Sequence, residues 1–320
     1  MSNEQSSNFK LQISNFKERF SSKVGAKVRF FPHSTKFLLK KISFLLFFLY
    51  FCSIMDYKTS AIVLRSLKYG DKRLIVDMFT RQYGRLSYIV PLSTSARSKI
   101  KKQYFQPLTL LYIEGNYRQQ SDLQHLNDAS LLSPLTSLLT VPTKLALSLF
   151  VAEFLCHALR DEQQNEPLFD YIQGSVEWLD AAEQSYANFH LVFLMRLSRF
   201  LGFYPNLNLQ TSNVKLQTSN FKLQTSNSKL QTSNFKLQTY FDLRSATFCT
   251  EPPLHRDFLM PQEAQHIQTL MRMDFPTMHL FRLSRTERNR ILEILLVYYR
   301  IHLPSFPDLR SLSVLRELWG

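Results

Sequence analysis

The sequence predicts an α+β multidomain protein, in which a small β-barrel is followed by an all-α helical domain. Three observations carry that reading. Five short runs between residues 57 and 129 alternate polar with apolar residues; the apolar spacing turns helical after Pro134; and Gly and Pro punctuate the runs where elements must end. A chain of 320 residues has room for both domains and for two further stretches that resemble neither.

The barrel is expected over residues 55–133. Tyr57–Tyr69 is rich in β-formers and closes on the turn signal Gly70–Asp71. Arg73–Thr80 places Leu74, Val76 and Met78 on one face and Ile75, Asp77 and Phe79 on the other. A tight turn at Gln82–Gly84 leads to its hairpin partner, Arg85–Val90. After a polar, basic connection at Ser93–Gln103, strands are expected at Gln106–Glu114 and Leu123–Ala129. Five short strands joined by turns form a small closed sheet.

Charge gives this domain its direction. The net charge is +14, and residues 55–115 hold eleven Lys and Arg against four Asp and Glu. Such a balance points to a polyanion, nucleic acid or an anionic surface. Lys68, Lys72 and Arg73 flank the first turn, Arg81 and Arg85 the second, and Arg97, Lys99, Lys101 and Lys102 crowd the third connection. Tyr69, Tyr83, Tyr88, Tyr104 and Phe105 sit among them, rings able to stack on bases. The nine cations and Tyr104 are the candidate DNA-binding residues. The competing reading of each is a solvated cation or a core ring.

The helical domain is expected over 134–206 and 240–320. Thr143–Leu159 carries apolar residues at 147, 150, 151, 154, 155 and 158, one buried face, with Pro142 ahead of it. Glu166–Leu179, Tyr186–Leu201, Gln262–Met271 and Thr286–His302 follow, with a last turn or two at Leu309–Leu318.

Two stretches stand apart. Residues 207–239 repeat the words KLQTSNF with a period of seven, and residues 8–17 carry the same words. The apolar spacing of the repeat is wrong for a coiled coil, so it reads as a low-complexity insert forming a solvated loop. Residues 1–54 read as a non-native extension from an upstream start, with Met55 as the natural beginning. An alternative uses the apolar segment 42–54 as a membrane anchor of a helical protein, although about 20 apolar residues are needed to span a bilayer.

No enzyme signature is present: no phosphate-binding Gly loop, no HExxH, no GxSxG. Cys156 and His157 are adjacent on a helix and point apart. Cys52, Cys156 and Cys249 form no CxxC pair, which excludes a disulfide framework and indicates a reducing compartment. Glu287 among Arg285, Arg288 and Arg290 reads as a helix salt-bridge cluster or an extension of a DNA surface.

The order of motifs resembles the RecO family of recombination mediators. The opening strand, Gly70–Asp71, Thr80–Gly84, the basic Ala96–Lys102 loop and Gln106–Leu108 are similar to its N-terminal OB-fold domain. Leu201–Pro205, LGFYP, and the segment Val297–Leu318 are similar to its helical C-terminal domain. The resemblance implies a non-enzymatic protein of the cytoplasm and nucleoid that binds single- and double-stranded DNA and anneals complementary strands. It implies RecR as partner, RecA indirectly, and single-stranded DNA-binding protein through its acidic C-terminal tail; it implies no membrane. Many relatives carry a four-cysteine zinc module after the LGFYP turn. Here the insert takes that place with Cys249 alone nearby, and His255 and His266 are irregularly spaced, so no metal or other cofactor is expected.

Overall fold

A computed structural model describes residues 54–91, 100–118, 121–210 and 239–317. Five strands, β1 (Ile54–Tyr69), β2 (Arg73–Thr80), β3 (Gly84–Pro91), β4 (Leu110–Arg118) and β5 (Leu123–Leu131), close into a barrel in the order β1-β2-β3-β5-β4. β1, β2 and β3 run as an antiparallel meander, and β3 pairs with β5 in parallel. This is an OB-like barrel, as the alternation and the motif order indicate.

The two faces of β2 have different fates. Leu74, Val76 and Met78 are buried with Val63, Tyr88 and Val90 inside the barrel. Phe79 and Ile62, directly paired across β1 and β2, belong instead to the core of the helical region. A bulge between Val63 and Arg65 shifts the register of β1 and turns Arg65, Leu67 and Tyr69 to the same face as Asp77 and Ile75. The fourth strand starts later than its sequence indicates. Lys102–Phe105 winds into a single 3-10 turn, and Leu108 adopts φ 61°. The Leu108 amide donates to the Val63 carbonyl at 2.8 Å, and the Val63 amide to the Thr109 carbonyl at 3.0 Å, which pins this entry to the bulge.

The helical region contains α1 (Thr136–Thr140), α2 (Pro142–Ala158), α3 (Glu166–Ala181), α4 (Phe189–Phe200), α5 (Pro261–Arg272), α6 (Arg285–His302) and α7 (Leu312–Glu317). Asn165 caps α3 by accepting from the Leu168 amide at 3.1 Å. The whole apolar face read for α2, from Leu147 to Ala158, is buried. Ala146, Ala152 and Cys156 on its other side are buried as well. Glu153 accepts from the Arg310 and Ser311 amides at 2.9 and 2.8 Å and so fastens the last segment of the described chain onto α2.

One feature adds to the expected bundle. β6 (Asn206–Gln210), β7 (Tyr240–Asp242), β8 (Thr247–Cys249) and β9 (Phe258–Leu259) form a small sheet in the order β6-β8-β7-β9. It rests on α6, where Phe241 meets Tyr298 at 5.9 Å and His302 Nε2 shares a hydrogen bond with the Leu243 carbonyl at 2.8 Å. The repeat expected to be a loop therefore starts inside a strand, at Asn206–Gln210; residues 211–238 lie outside the described part. So do residues 1–53, which hold nearly all of the apolar segment 42–54. Among the described residues no helix is long and apolar enough to cross a membrane.

His190, wholly buried on α4 beside Phe150, sets an acid limit to the fold. Burial, helped by the nearby charge of Arg288, holds its imidazole down to about 3 from 6.5. The unfolded chain therefore takes up this proton first, and stability is complete above 6.5 and falls as the pH drops below it. The slope approaches about 1.4 kcal/mol per pH unit. Urea midpoints measured from about pH 7 to about pH 5 should decline in the wild type and less steeply in His190→Leu; identical profiles would discount the histidine.

Candidate nucleic-acid interface

The meander decides which cations share a neighbourhood. Successive turns of a meander lie at opposite ends of the strand between them. The Gly70–Lys72 turn and the Arg81–Tyr83 turn are therefore separated by the eight residues of β2, about 25 Å at roughly 3.3 Å per residue.

At the first end, Lys68, Lys72 and Arg73 are all exposed, and none has a carboxylate partner among the described residues. Asp71 is the one acid of this turn. Gly70, at φ 64°, permits the tight reversal that brings Lys68 and Arg73 to either side of it. Arg73 is paired in register with Pro91, the last residue of β3. The basic connection thus leaves the barrel beside the first turn. Arg97 and Lys99 on it lie outside the described residues. Lys101 and Lys102 are exposed, and the Lys101 ammonium lies 6.0 Å from the centre of the half-buried Tyr104 ring.

At the second end the cations are engaged elsewhere, a correction to their placement on one rim with the others. Arg81 pairs with Glu166 at 3.2 Å and Asp170 at 3.1 Å, both on the first turns of α3. Arg85 is mostly buried and donates to the Cys156 carbonyl at 2.6 Å while facing Asp77 at 3.3 Å. Arg65 reaches the same Asp77 oxygen at 2.7 Å, and the Ser87 hydroxyl donates to the other at 2.6 Å. Burial alone would raise the Asp77 carboxyl; the hydrogen bonds from Ser87 and Arg65 and the charges of Arg65 and Arg85 outweigh it and hold the group below the ordinary carboxylate range. Gly84 completes this seam. It sits at φ 67° against the backbone of Glu162 and Gln163, and the Arg85 amide donates to the Glu162 carbonyl at 3.1 Å.

The remaining candidates also resolve into structure. Glu287 closes a capping box with Ser284 at the start of α6. Arg290 pairs with Glu263 and Glu293, Arg285 donates to the Arg316 carbonyl and Arg288 to the Leu283 carbonyl. Cys156 turns toward Arg85, with burial pushing its thiol up, and His157 turns toward the Phe306 ring, so the two form no dyad. His255 faces Asp242 at 3.3 Å and accepts from the Asp257 amide. Among the described residues, no three of His, Cys, Asp and Glu are grouped to hold a metal ion.

An OB-like barrel backed by a helical region, with cations gathered at its first turn, defines the class of protein. Comparison with known proteins defines the family. Residues 55–135 match the family profile described as Recombination protein O N terminal, and residues 139–312 the one described as Recombination protein O C terminal. The chain is 45% identical over 263 residues to the DNA repair protein RecO of Bacteroides fragilis, covering 82% of this chain and 98% of that one. It is 44% identical over 263 residues to that of Phocaeicola vulgatus, covering 82% and 99%, and 32% identical over 262 residues to that of Porphyromonas gingivalis, covering 81% and 97%. The chain belongs to the RecO family of DNA repair and recombination proteins.

Proposed function

We propose that this protein is a recombination mediator without catalytic activity or cofactor, working in the cytoplasm at the nucleoid. The first-turn end of its barrel holds single- and double-stranded DNA through the sugar-phosphate chain, without sequence preference. Held there, two complementary strands lose part of their mutual repulsion and anneal. Together with RecR the protein helps load RecA onto DNA coated by single-stranded DNA-binding protein, whose acidic tail docks on the helical region. The observation that carries the reading is the set of exposed cations Lys68, Lys72 and Arg73, which have no carboxylate partner among the described residues and stand where the basic connection leaves the sheet.

Each cation that neutralises a phosphate releases about one counterion, so affinity falls with salt in proportion to the number of contacts. Replacing Lys68, Lys72 and Arg73 together by Ala should weaken binding alike for unrelated DNA sequences and reduce the salt slope by about three. Replacing Arg97, Lys99, Lys101 and Lys102 together should do the same by up to about four. Arg81→Ala should leave the slope unchanged, because that guanidinium is already paired with Glu166 and Asp170. Titration of a labelled oligonucleotide at several salt concentrations measures all three. An unchanged slope in both multiple variants would reject the assignment.

A further inference from the structure

α2 carries a second apolar seam besides the face buried in the helical core. Leu145, Leu149, Ala152 and Cys156 follow one another at intervals of four, three and four residues, the spacing with which one helix packs along another. Ala152 and Cys156 are buried, but Leu149 is 42% exposed and Leu145 37%. The seam is about 16 Å long at roughly 1.5 Å per residue.

Two other elements line the same concavity. The barrel contributes Leu64, Leu67 and Pro107, and α7 contributes Val314, itself 54% exposed. The trough they enclose with Leu149 and Ala152 has a volume of about 710 Å³. A single exposed leucine is ordinary, but Leu67, Leu149 and Val314 border one cavity together, and a contiguous apolar surface marks a place of interaction. Charge gives the trough a sign. Arg65, Glu153, Asp308 and Arg310 also line it. The Glu153 carboxylate is occupied by the Arg310 and Ser311 amides and the Ser311 hydroxyl, and Asp308 pairs with Arg300. The Arg310 guanidinium has no carboxylate partner among the described residues, and Arg65 stays half-exposed beyond its pair with Asp77. The charge left uncompensated in the trough is therefore positive.

We propose that this trough receives an amphipathic helix of a partner protein, apolar at three- and four-residue intervals and bearing carboxylates in its last turn. The seam selects a helix, because side chains at that spacing interlock with those of a second helix laid along the first. Ala146 and Ala152 in its floor are small enough for such a helix to come close. Arg310 and Arg65 select the acidic turn, aided by the partial negative charge on which any helix ends. The docked helix touches the barrel through Leu67 and the helical region through Leu149 at once, so a single partner segment grips both halves of the protein.

The test uses the full chain and a labelled synthetic helix of about four turns, with leucines at the seam spacing and glutamates in its last turn. Two companion peptides carry lysines in place of the glutamates, or a central proline. The wild type should bind the glutamate helix and hold either companion about ten-fold more weakly. Leu149→Glu should weaken the glutamate helix about ten-fold, and Val314→Glu, on a separate element, should do the same. Both side chains are exposed, so urea unfolding should be unchanged in the two variants. Arg310→Glu should reverse the preference toward the lysine helix. No binding of the glutamate helix, equal binding of the lysine helix, or wild-type strength in both apolar variants would overturn the proposal. Equal binding of the proline-broken peptide would make the occupant an extended chain and overturn it as well. So would a wild type that sediments as a dimer and a Leu149→Glu protein that sediments as a monomer, which would make the seam a contact between two copies of the chain.

Discussion

Gly84→Ala should destabilise the protein by about 3 kcal/mol or more, while Gly70→Ala should cost only about 1 kcal/mol. Both glycines have positive φ, 67° and 64°, so a side chain strains both about equally. Their surroundings differ. A Cβ on Gly70 would meet nothing within 4 Å, whereas one on Gly84 would press into the Gln163 backbone and stand 2.6 Å from the Glu162 carbonyl oxygen. Backbone cannot swing aside as a side chain can, so the segment leading into α3 would have to move. The hydrogen bond from the Arg85 amide to Glu162 and the ion pairs of Arg81 with α3 would be strained together. Urea unfolding of the two variants measures the difference. Equal losses would mean that the close approach at Gly84 contributes nothing.

Asp77→Ala is the second substitution with a large expected effect, about 3 kcal/mol. The carboxylate is 3% exposed and answers Arg65, Arg85 and Ser87 at once. Removing it leaves the mostly buried Arg85 guanidinium without its anion. The acid dependence adds a signature that a simple cavity would lack. The carboxyl is depressed in the folded protein relative to its ordinary 3.8, so its contribution is complete above that value and is lost as the pH falls through the lower, folded one. Stability measured down the acid range should lose this last limb in Asp77→Ala. Persistence of the limb, or a loss below about 1 kcal/mol, would show that Arg85 is satisfied by the Cys156 carbonyl alone.

The barrel was legible because its signals are local. Alternation over eight residues fixes the faces of β2, and Gly70 and Gly84 mark turns that require a left-handed residue. The small sheet was not legible. Its strands are two to five residues long, too short for a period to appear, and the heptad repeat separates the first from the second. The destiny of a face is a further level. Ile75, Asp77 and Phe79 read as one side of a strand, but nothing nearby says that Phe79 meets Phe169 while Ile75 stays at the surface. The small residues Ala146, Ala152 and Cys156 were the available hint that α2 is covered on a second side.

The candidate site was legible to the same degree. Lys68, Lys72 and Arg73 cluster because one turn holds them, and a turn can be read. Arg81 and Arg85 flank a turn just as clearly, and two facts remove them. The carboxylate partners of Arg81 on α3 lie 85 and 89 residues away in sequence, and the Cys156 carbonyl that holds Arg85 lies 71 residues away, beyond any local pattern. Alternation of turns between the two ends of a meander was, in contrast, available from the strand order, and it alone separates them from the first-turn cations.

Ile62, Phe79, Leu108 and Leu110 have a consequence for how such proteins diverge and how they can be recombined in the laboratory. These barrel residues are packed in the same core as Phe150, Phe169 and Leu194. The two halves are thus joined by interdigitated oil rather than by a tether. A chimaera that couples this barrel to a distant relative's helices would juxtapose side chains shaped for other neighbours. Grafts should succeed only when the abutting positions travel with the donor half.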